Sequence, residues 1–464
     1  MLPPPLPPLP HEVLPPVLSP EQGAPPPPPQ DFQDGYTLPV HCLKPLQRML
    51  PPHPLDGDLV FHEKEHIYAV KGVPTTGSVT ALAHQFQPHF VPKAAIASMR
   101  NSKKEKWPRV KYAVDVRKVE NREADLVPAR GCMAVVDGKT LGIVHPHSMR
   151  SSATPDDIFR MLMLSIQGGS EELTSDTELY TFERGMTDEE IERKWNSDGT
   201  LASNKGTEGH YMCELFLNGL PCRWLEGEMS VLFDFLRRYV VPRGIVSHST
   251  EKEIVCEDAD IGGSIDALLW DEEAKVVHIL DFKRSDKLIG DMHNLYRRKM
   301  DQPMTHLDDC RGASYALQLS IYQYILERDY GMRIGDRILL SIHPDAPFCT
   351  SVPYLRAEAD FIFRQRFALV RARRQVAREV PELRCTLTGA PAVDAVRLTT
   401  GPNAGRLAME RAALLRGFDF EVAEEERRRF EAAVDEFKEH VPPPETAECI
   451  PWRKRIGASG ELPF

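Results

Sequence analysis

No two cysteines of this 464-residue chain are spaced as a C-x-x-C pair, and no window approaches the roughly 18 consecutive apolar residues of a membrane span. The first absence argues against a zinc knuckle or a dithiol redox site, the second against a transmembrane helix. The nine cysteines stand apart, at Cys42, Cys132, Cys213, Cys222, Cys256, Cys310, Cys349, Cys385 and Cys449, and read as free, mostly buried thiols in a reducing compartment. Lysine and arginine are missing before Lys44 while acidic residues are present, which excludes a transit peptide. The uninterrupted apolar stretch of a signal peptide is missing too. Basic charge is in deficit overall, with 57 Lys and Arg against 68 Asp and Glu and a net charge of −11. Wholesale coating of nucleic acid is thereby disfavoured, although a local basic channel is not. The expectation is a soluble, intracellular protein with no membrane partner, nuclear or cytoplasmic.

Proline is what the chain has in excess, 40 residues of which nearly half fall in the first fifty-odd positions, as in "MLPPPLPPLP" and "APPPPPQ". Proline lacks a backbone donor, so residues 1–56 are expected to be a disordered arm of polyproline character. Such an arm serves as a tether or as a ligand for a proline-motif-reading protein, and is dispensable for chemistry elsewhere. Order is expected from residue 57 onward, where Leu59–His62 and His66–Val70 read as a hairpin and Ser78 or Thr80 caps a helix. Residues 57–110 open the folded part. Residues 111–175, rich in turn signals such as "DGK" and "HPHS", read as an insertion of uncertain structure. Thr187 before "DEE" caps a helix, and residues 204–240 read as two more. Strands follow in "STEKEIVC", "GGSIDALLW" and "KVVHILDFK", then the helix "GASYALQLSIYQYILERDYG" closed by Gly331, then the strand "DRILLSIH". Residues 176–380 therefore read as an α/β core, a mixed central sheet flanked by helices. Residues 381–464 read as a Pro/Gly/Thr-rich connector and a charged helix, "VAEEERRRFEAAVDEFKEHV".

The run "VVHILDFKRSDK" sets the apolar residues Val276–Leu280 directly against Asp281 and Lys283. A charge at the end of a buried strand costs several kcal/mol unless it has a partner. If Trp270 pairs with Lys275 around the connection "DEEA", Asp281 lies opposite Ser264. Asp266 and Asp281 then project from one face as diagonal neighbours, with Lys283 two residues on. A connection one residue longer or shorter would send the acids to opposite faces. Paired carboxylates repel unless a cation neutralises them, and hard ions such as Mg²⁺ prefer oxygen ligands. A lysine beside such an ion can stabilise phosphorane charge or orient a water. The pattern points to phosphodiester hydrolysis; a structural or surface ion pair is the plainer alternative.

With Asp266 fifteen residues before Asp281, "DFK" after it and "QLSIY" downstream, the chain resembles the PD-(D/E)XK nuclease superfamily in its RecB-type exonuclease branch. That branch carries G-x-x-D, acid-x-Lys, Q-x-x-x-Y and an upstream G-x-x-x-H, here Gly206 and His210 of "GTEGH". The likeness spans residues 57–110 and 176–345, and extends to "SVT" early, Thr250–Glu251 on the preceding strand and His343–Pro344 late. It implies a restriction-endonuclease-like core in which Asp266, Asp281 and His210 hold one or two Mg²⁺ or Mn²⁺ and Lys283 assists the attacking water. Gln318 and Tyr322, one turn apart on a helix, would approach the active strands and the DNA backbone; Tyr322 is otherwise a core residue. Glu251 either joins the metal or lies on an outer strand. Glu214, one turn past His210, either orients it or faces solvent. "YRRKM", Tyr296–Met300, is either a solvated face or a grip on DNA. Some relatives carry an iron–sulfur cluster on a cysteine set, but Cys385 and Cys449 stand alone, so no cluster is expected. Helicase motifs are missing, so unwinding would need a helicase partner. The expected activity is that of a Mg-dependent DNA exonuclease in repair, recombination or replication. Its alternatives are a structure- or sequence-specific endonuclease on the same core, or a nucleic-acid-binding scaffold that has lost the chemistry.

Overall fold

The computed structural model describes residues 44–45, 53–54, 56–166, 176–220, 226–293 and 298–444, so nearly all of the proline-rich arm lies outside the described residues. The chain divides into two compact units, Met1–Gln87 with Gly206–Phe464, and Pro88–Lys205. The elements that position the site are α1 (Val79–His84), α2 (Asp188–Leu217), α3 (Glu226–Phe235), β1 (Ile245–Cys256), β2 (Ile261–Asp271), β3 (Val276–Lys283), α4 (Arg311–Arg328), β4 (Ile334–Ser341), β5 (Phe348–Ser351) and α5 (Arg356–Glu379).

The larger unit is built on a seven-stranded mixed sheet. β1, β2 and β3 form an antiparallel meander; α4 then crosses over, β4 returns parallel to β3, and β5 pairs antiparallel outside it. A parallel return needs such a crossover, because no tight turn can bring a strand back in the same direction. Lys44–Pro45 adds parallel to β1, and Gly77–Ser78 parallel to β2. β3 is buried on both faces, as its near-continuous apolar run requires. Val277 and Ile279 pack under α4 with Leu317, Ile321 and Phe361, whereas Leu280 and Phe282 pack on the opposite face with Phe216, Leu232 and Phe235. α4 is buried almost all round, between the sheet and α5.

The β2–β3 connection departs from the expected register. Asp271, not Trp270, is the last paired residue, opposite Val276, and the loop is Glu272–Lys275. Asp271 Oδ1 accepts from Ala274 N at 2.8 Å, and Lys275 takes a left-handed φ of 55°, so the aspartate closes the turn from inside the ladder. The loop keeps four residues, so the strands slide by an even step and parity survives. One step beyond the last ladder pair, Ala267 opposite Leu280, Asp266 comes abreast of Asp281; Ser264 does not.

Other differences have local causes. The two helices expected around residues 187–217 are one, α2, because Gly199 and the polar run about it lower helix propensity without breaking it. Thr187 and Glu190 form the expected capping box, and Ser78 caps α1. The connector after residue 380 is ordered: Ala395–Leu398, Leu407–Met409 and Phe420–Val422 form a three-stranded sheet, and the charged helix, Glu424–Phe437, adds Phe430 and Val434 to its core. Of residues 111–175, those described, 111–166, are not irregular either, and 167–175 lie outside the described residues. In the smaller unit Gly131–Val136 and Lys139–Val144 pair around Asp137–Gly138, both at positive φ, and helix Pro155–Ser165 packs Ile158 and Leu162 on them. Among the described residues no helix is long and apolar enough to cross a membrane. Cys132, Cys213, Cys256, Cys310, Cys349 and Cys385 form no disulfide and are buried, as expected.

Gly263 on β2 lets α4 and α1 approach the sheet closely. A Cβ there would lie 2.8 Å from Val79 Cγ2 and 2.9 Å from Tyr322 Cε1. Gly263→Ala is expected to cost about 1–3 kcal/mol through overpacking. Thermal melting checks this, and a wild-type midpoint would mean the helices can withdraw freely.

Candidate active site

Glu251, Asp266 and Asp281 stand in one row across β1, β2 and β3. The β1–β2 ladder runs through Thr250 opposite Ala267 and resumes at Lys252 opposite Ile265, skipping the Glu251–Asp266 pair. Glu251 has φ +42°, a left-handed conformation that costs a side-chain-bearing residue roughly 1–3 kcal/mol. Across from it the alternation of β2 slips: Ile265 and Leu268 both pack toward α4, Ala267 and Leu269 toward the other face. Strict period-two reasoning, which placed Asp266, fails at this residue, yet the carboxylate still arrives beside its neighbours. Its Oδ2 accepts from Phe282 N at 2.7 Å and lies 3.5 Å from His210 Nδ1. Asp281 Oδ2 meets Lys283 Nζ at 2.5 Å, and that ammonium sits 5.0 Å over the Tyr315 ring of α4.

α2 brings His210 from the opposite side, its ring edge-on to Phe282 at 5.8 Å between centroids. Asn218, just past the end of α2, donates to Thr250 Oγ1 at 2.6 Å and ties that end to β1 next to Glu251. The expected motif glycine, Gly206, faces open space. Gly209 makes the close approach instead, since a Cβ there would lie 3.0 Å from Ile342 Cδ1. Gly227 accommodates Pro344, whose Cβ would be 2.5 Å from an added Cβ, which gives the "HP" pair a packing role.

Acid is in excess here: Asp281 is buried, Asp266 half-buried, and Glu251 lies exposed at the end of the row though crowded by protein on its other sides. Burial raises both Asp266 and Asp281, and Lys283 only partly offsets it. Burial, with Asp266 adding, pushes Glu251 up to about 7 against the hydrogen bond from Ser264 Oγ at 2.8 Å. Burial raises Glu214 as well, and its charge acts on Glu251; among the described residues no hydrogen bond joins Glu214 to His210. Burial alone would lower Lys283, but Asp281 and Asp266 outweigh it and hold the ammonium charged. Burial and the Lys283 charge push His210 down to about 4, leaving a neutral ring with a free electron pair.

Among the described residues no group of three or more His, Cys, Asp or Glu side chains is already drawn together as a metal cage. The donor chemistry nevertheless fits a hard cation. Asp281 Oδ2 is buried and, beyond the Lys283 ammonium at 2.5 Å, meets no other donor among the described residues, so it keeps a lone pair for a cation. Acids outnumber the single lysine, and the nearby imidazole is neutral. Asp266 and Asp281, with Glu251 and His210 beside them, are the residues that would hold a cation.

Gln318 and Tyr322 are both buried and joined by Gln318 Nε2 to Tyr322 Oη at 3.3 Å. Burial raises the Tyr322 phenol well above its ordinary value, and Asp266 and Asp281 add to this, so it adjoins the acid row. Its ring also fills the space left by Gly263, so it is core and site neighbour at once. In "YRRKM" Tyr296 and Arg297 lie outside the described residues, Lys299 pairs with Asp308 at 2.6 Å, and Met300 is core; the described part is largely structural. Sequence reasoning missed Tyr315 and Ser264. Tyr315 precedes Gln318 by three residues on the same helix face, and Ser264 sits inside "GGSID", so both were within reach of spacing alone. Comparison with family models, with curated proteins and with solved structures found no match to this chain.

Proposed function

We propose that the chain is a metal-dependent deoxyribonuclease that hydrolyses phosphodiester bonds, of the PD-(D/E)XK type and with exonuclease action. One observation carries the reading: three acids in a row across adjacent strands, with Lys283 paired to the last and the Gln318–Tyr322 face of α4 alongside. The meander, crossover helix and parallel fourth strand are compatible with a restriction-endonuclease-like core. Asp266 and Asp281 would hold Mg²⁺ or Mn²⁺, with His210 and Glu251 beside them. When bound, the ion supplies charge neutralisation and a more acidic water. Lys283 keeps a proton and a fixed position between Asp281 and Tyr315, from which it can stabilise negative charge on a phosphoryl oxygen or orient a water. Asp266, fixed by Phe282 N, cannot swing away when its neighbour moves. The crowding of Asp266, Glu251 and the buried Asp281 around one lysine serves no packing purpose, which weighs against a scaffold that has lost the chemistry.

Purified protein is expected to degrade end-labelled single- or double-stranded DNA with Mg²⁺ or Mn²⁺ and to be inert in EDTA. Folded protein that leaves every DNA intact in both metals would overturn the reading in favour of binding alone.

A further inference from the structure

The smaller unit carries a surface that this chemistry does not use. Between Lys93 and Lys111 stand seven lysines and arginines against Glu105 alone, in a chain of net charge −11. The acids at hand are largely occupied: Glu105 pairs with Arg109 at 2.8 Å and Asp188 with Arg100 at 2.6 Å, while Glu189 feels Lys93. Lys103, Lys104 and Lys106 make no ion pair among the described residues, and they line one hollow with Thr140, Leu141 and Glu105, whose charge Arg109 already meets. Lys106 N donates to Thr140 O at 2.8 Å, which pins this loop to the neighbouring strand.

Aromatic rings run through the same cations. Trp107 stacks on Tyr112 at 5.6 Å, Tyr112 meets Trp195 edge-on at 6.3 Å, and Trp195 meets Phe90 at 5.7 Å. Arg100 lies over Trp107 and Lys111 over Tyr112, at 5.3 and 5.1 Å. Tyr112 is buried, but Phe90, at the end of the row, is 68% exposed. Packing accounts for the inner rings and not for Phe90. The ring row thus runs from Trp107, next in sequence to Lys106, to the open face of Phe90; such a row suits a strand whose bases are unstacked and whose phosphates are evenly spaced, whereas a duplex hides its bases and would gain from the charge alone.

We propose that this surface binds single-stranded nucleic acid, with Phe90 stacking on a base and Lys103, Lys104 and Lys106 following the phosphates. The choice of nucleic acid among polyanions rests on the nuclease reading; the preference for an unpaired strand rests on Phe90. The test is fluorescence anisotropy of the full-length chain with a labelled oligothymidylate of about 20 nucleotides, in EDTA, over roughly 50–200 mM salt. Lys103→Ala/Lys104→Ala/Lys106→Ala is expected to weaken binding at least about tenfold and flatten the log–log salt slope by roughly 2. Phe90→Ala is expected to weaken it about fivefold or more with the slope unchanged, and to leave duplex binding alone. Wild-type affinity in the lysine variant, or in Phe90→Ala, overturns the inference. Because binding is read without metal, a chain that binds and never cuts sinks the nuclease reading alone. A chain that cuts while both variants bind normally sinks only this one.

Discussion

Asp281→Asn is expected to lower DNA cleavage at least roughly a thousandfold while leaving the fold in place. Asparagine keeps the shape of the side chain and takes away the charge, so the loss reads the carboxylate and not a cavity. Lys283 then loses the ion pair at 2.5 Å that fixes its ammonium over Tyr315. Lys283→Met should therefore cost a similar factor, and the double variant little more than either single one, as groups that act as a unit do. Single-turnover cleavage of end-labelled DNA, with circular dichroism as the control for folding, gives the answer. A folded Asp281→Asn protein at wild-type rate removes this row of acids from the chemistry.

Arg284→Met carries the largest expected effect on stability, about 3 kcal/mol. Arg284 follows β3 directly, and its Nε meets Glu228 Oε1 of α3 at 2.8 Å with both side chains only 15% exposed. Removing the guanidinium strands a buried carboxylate, and α3 loses its tie to the strand that carries Asp281 and Lys283. Removing both charges should recover most of the loss, because the desolvation cost disappears with them. Burial alone would raise Glu228, but Arg284 outweighs it and holds the carboxyl below its ordinary value. A depressed acid stabilises the fold above its unfolded value and ceases to do so as pH falls through the folded one, so the gap between wild type and variant should shrink below about pH 4.5. Urea midpoints across pH measure both effects, and a gap under about 1 kcal/mol at neutral pH would mean that solvent already screens the pair.

The parts of this fold legible from sequence were those with a strong period or a marked end. β3 announced itself by an apolar run stopped by charge, α4 by length and Gly331, α1 by Ser78. The acid row was legible in membership but not in register. Asp271 looked like a loop residue, and only its hydrogen bond to Ala274 N shows why it belongs to the strand. Glu251 was the least readable position, since nothing in "STEKEIVC" signals a left-handed residue in mid-strand. α5, rich in arginine, gave no boundary that pattern alone could find, although Phe361, Ile362 and Arg366 are buried in the core. The sheet after residue 380 hid behind glycine, threonine and proline, because three- and four-residue strands are too short to show a period.

The backbone at Glu251 has a consequence for anyone who would engineer this protein. Glycine adopts its φ of +42° at no steric cost and carries no acid into the row, and the strain it relieves, roughly 1–3 kcal/mol, exceeds its own entropy cost of about 0.5–1 kcal/mol, so for folding it is the better residue there. Selection for heat resistance would drift toward glycine at this position, and selection for the proposed cleavage would hold the glutamate. A library sorted on thermal endurance alone would thus enrich the very change that dismantles the acid row, with the gain in durability concealing the loss of purpose.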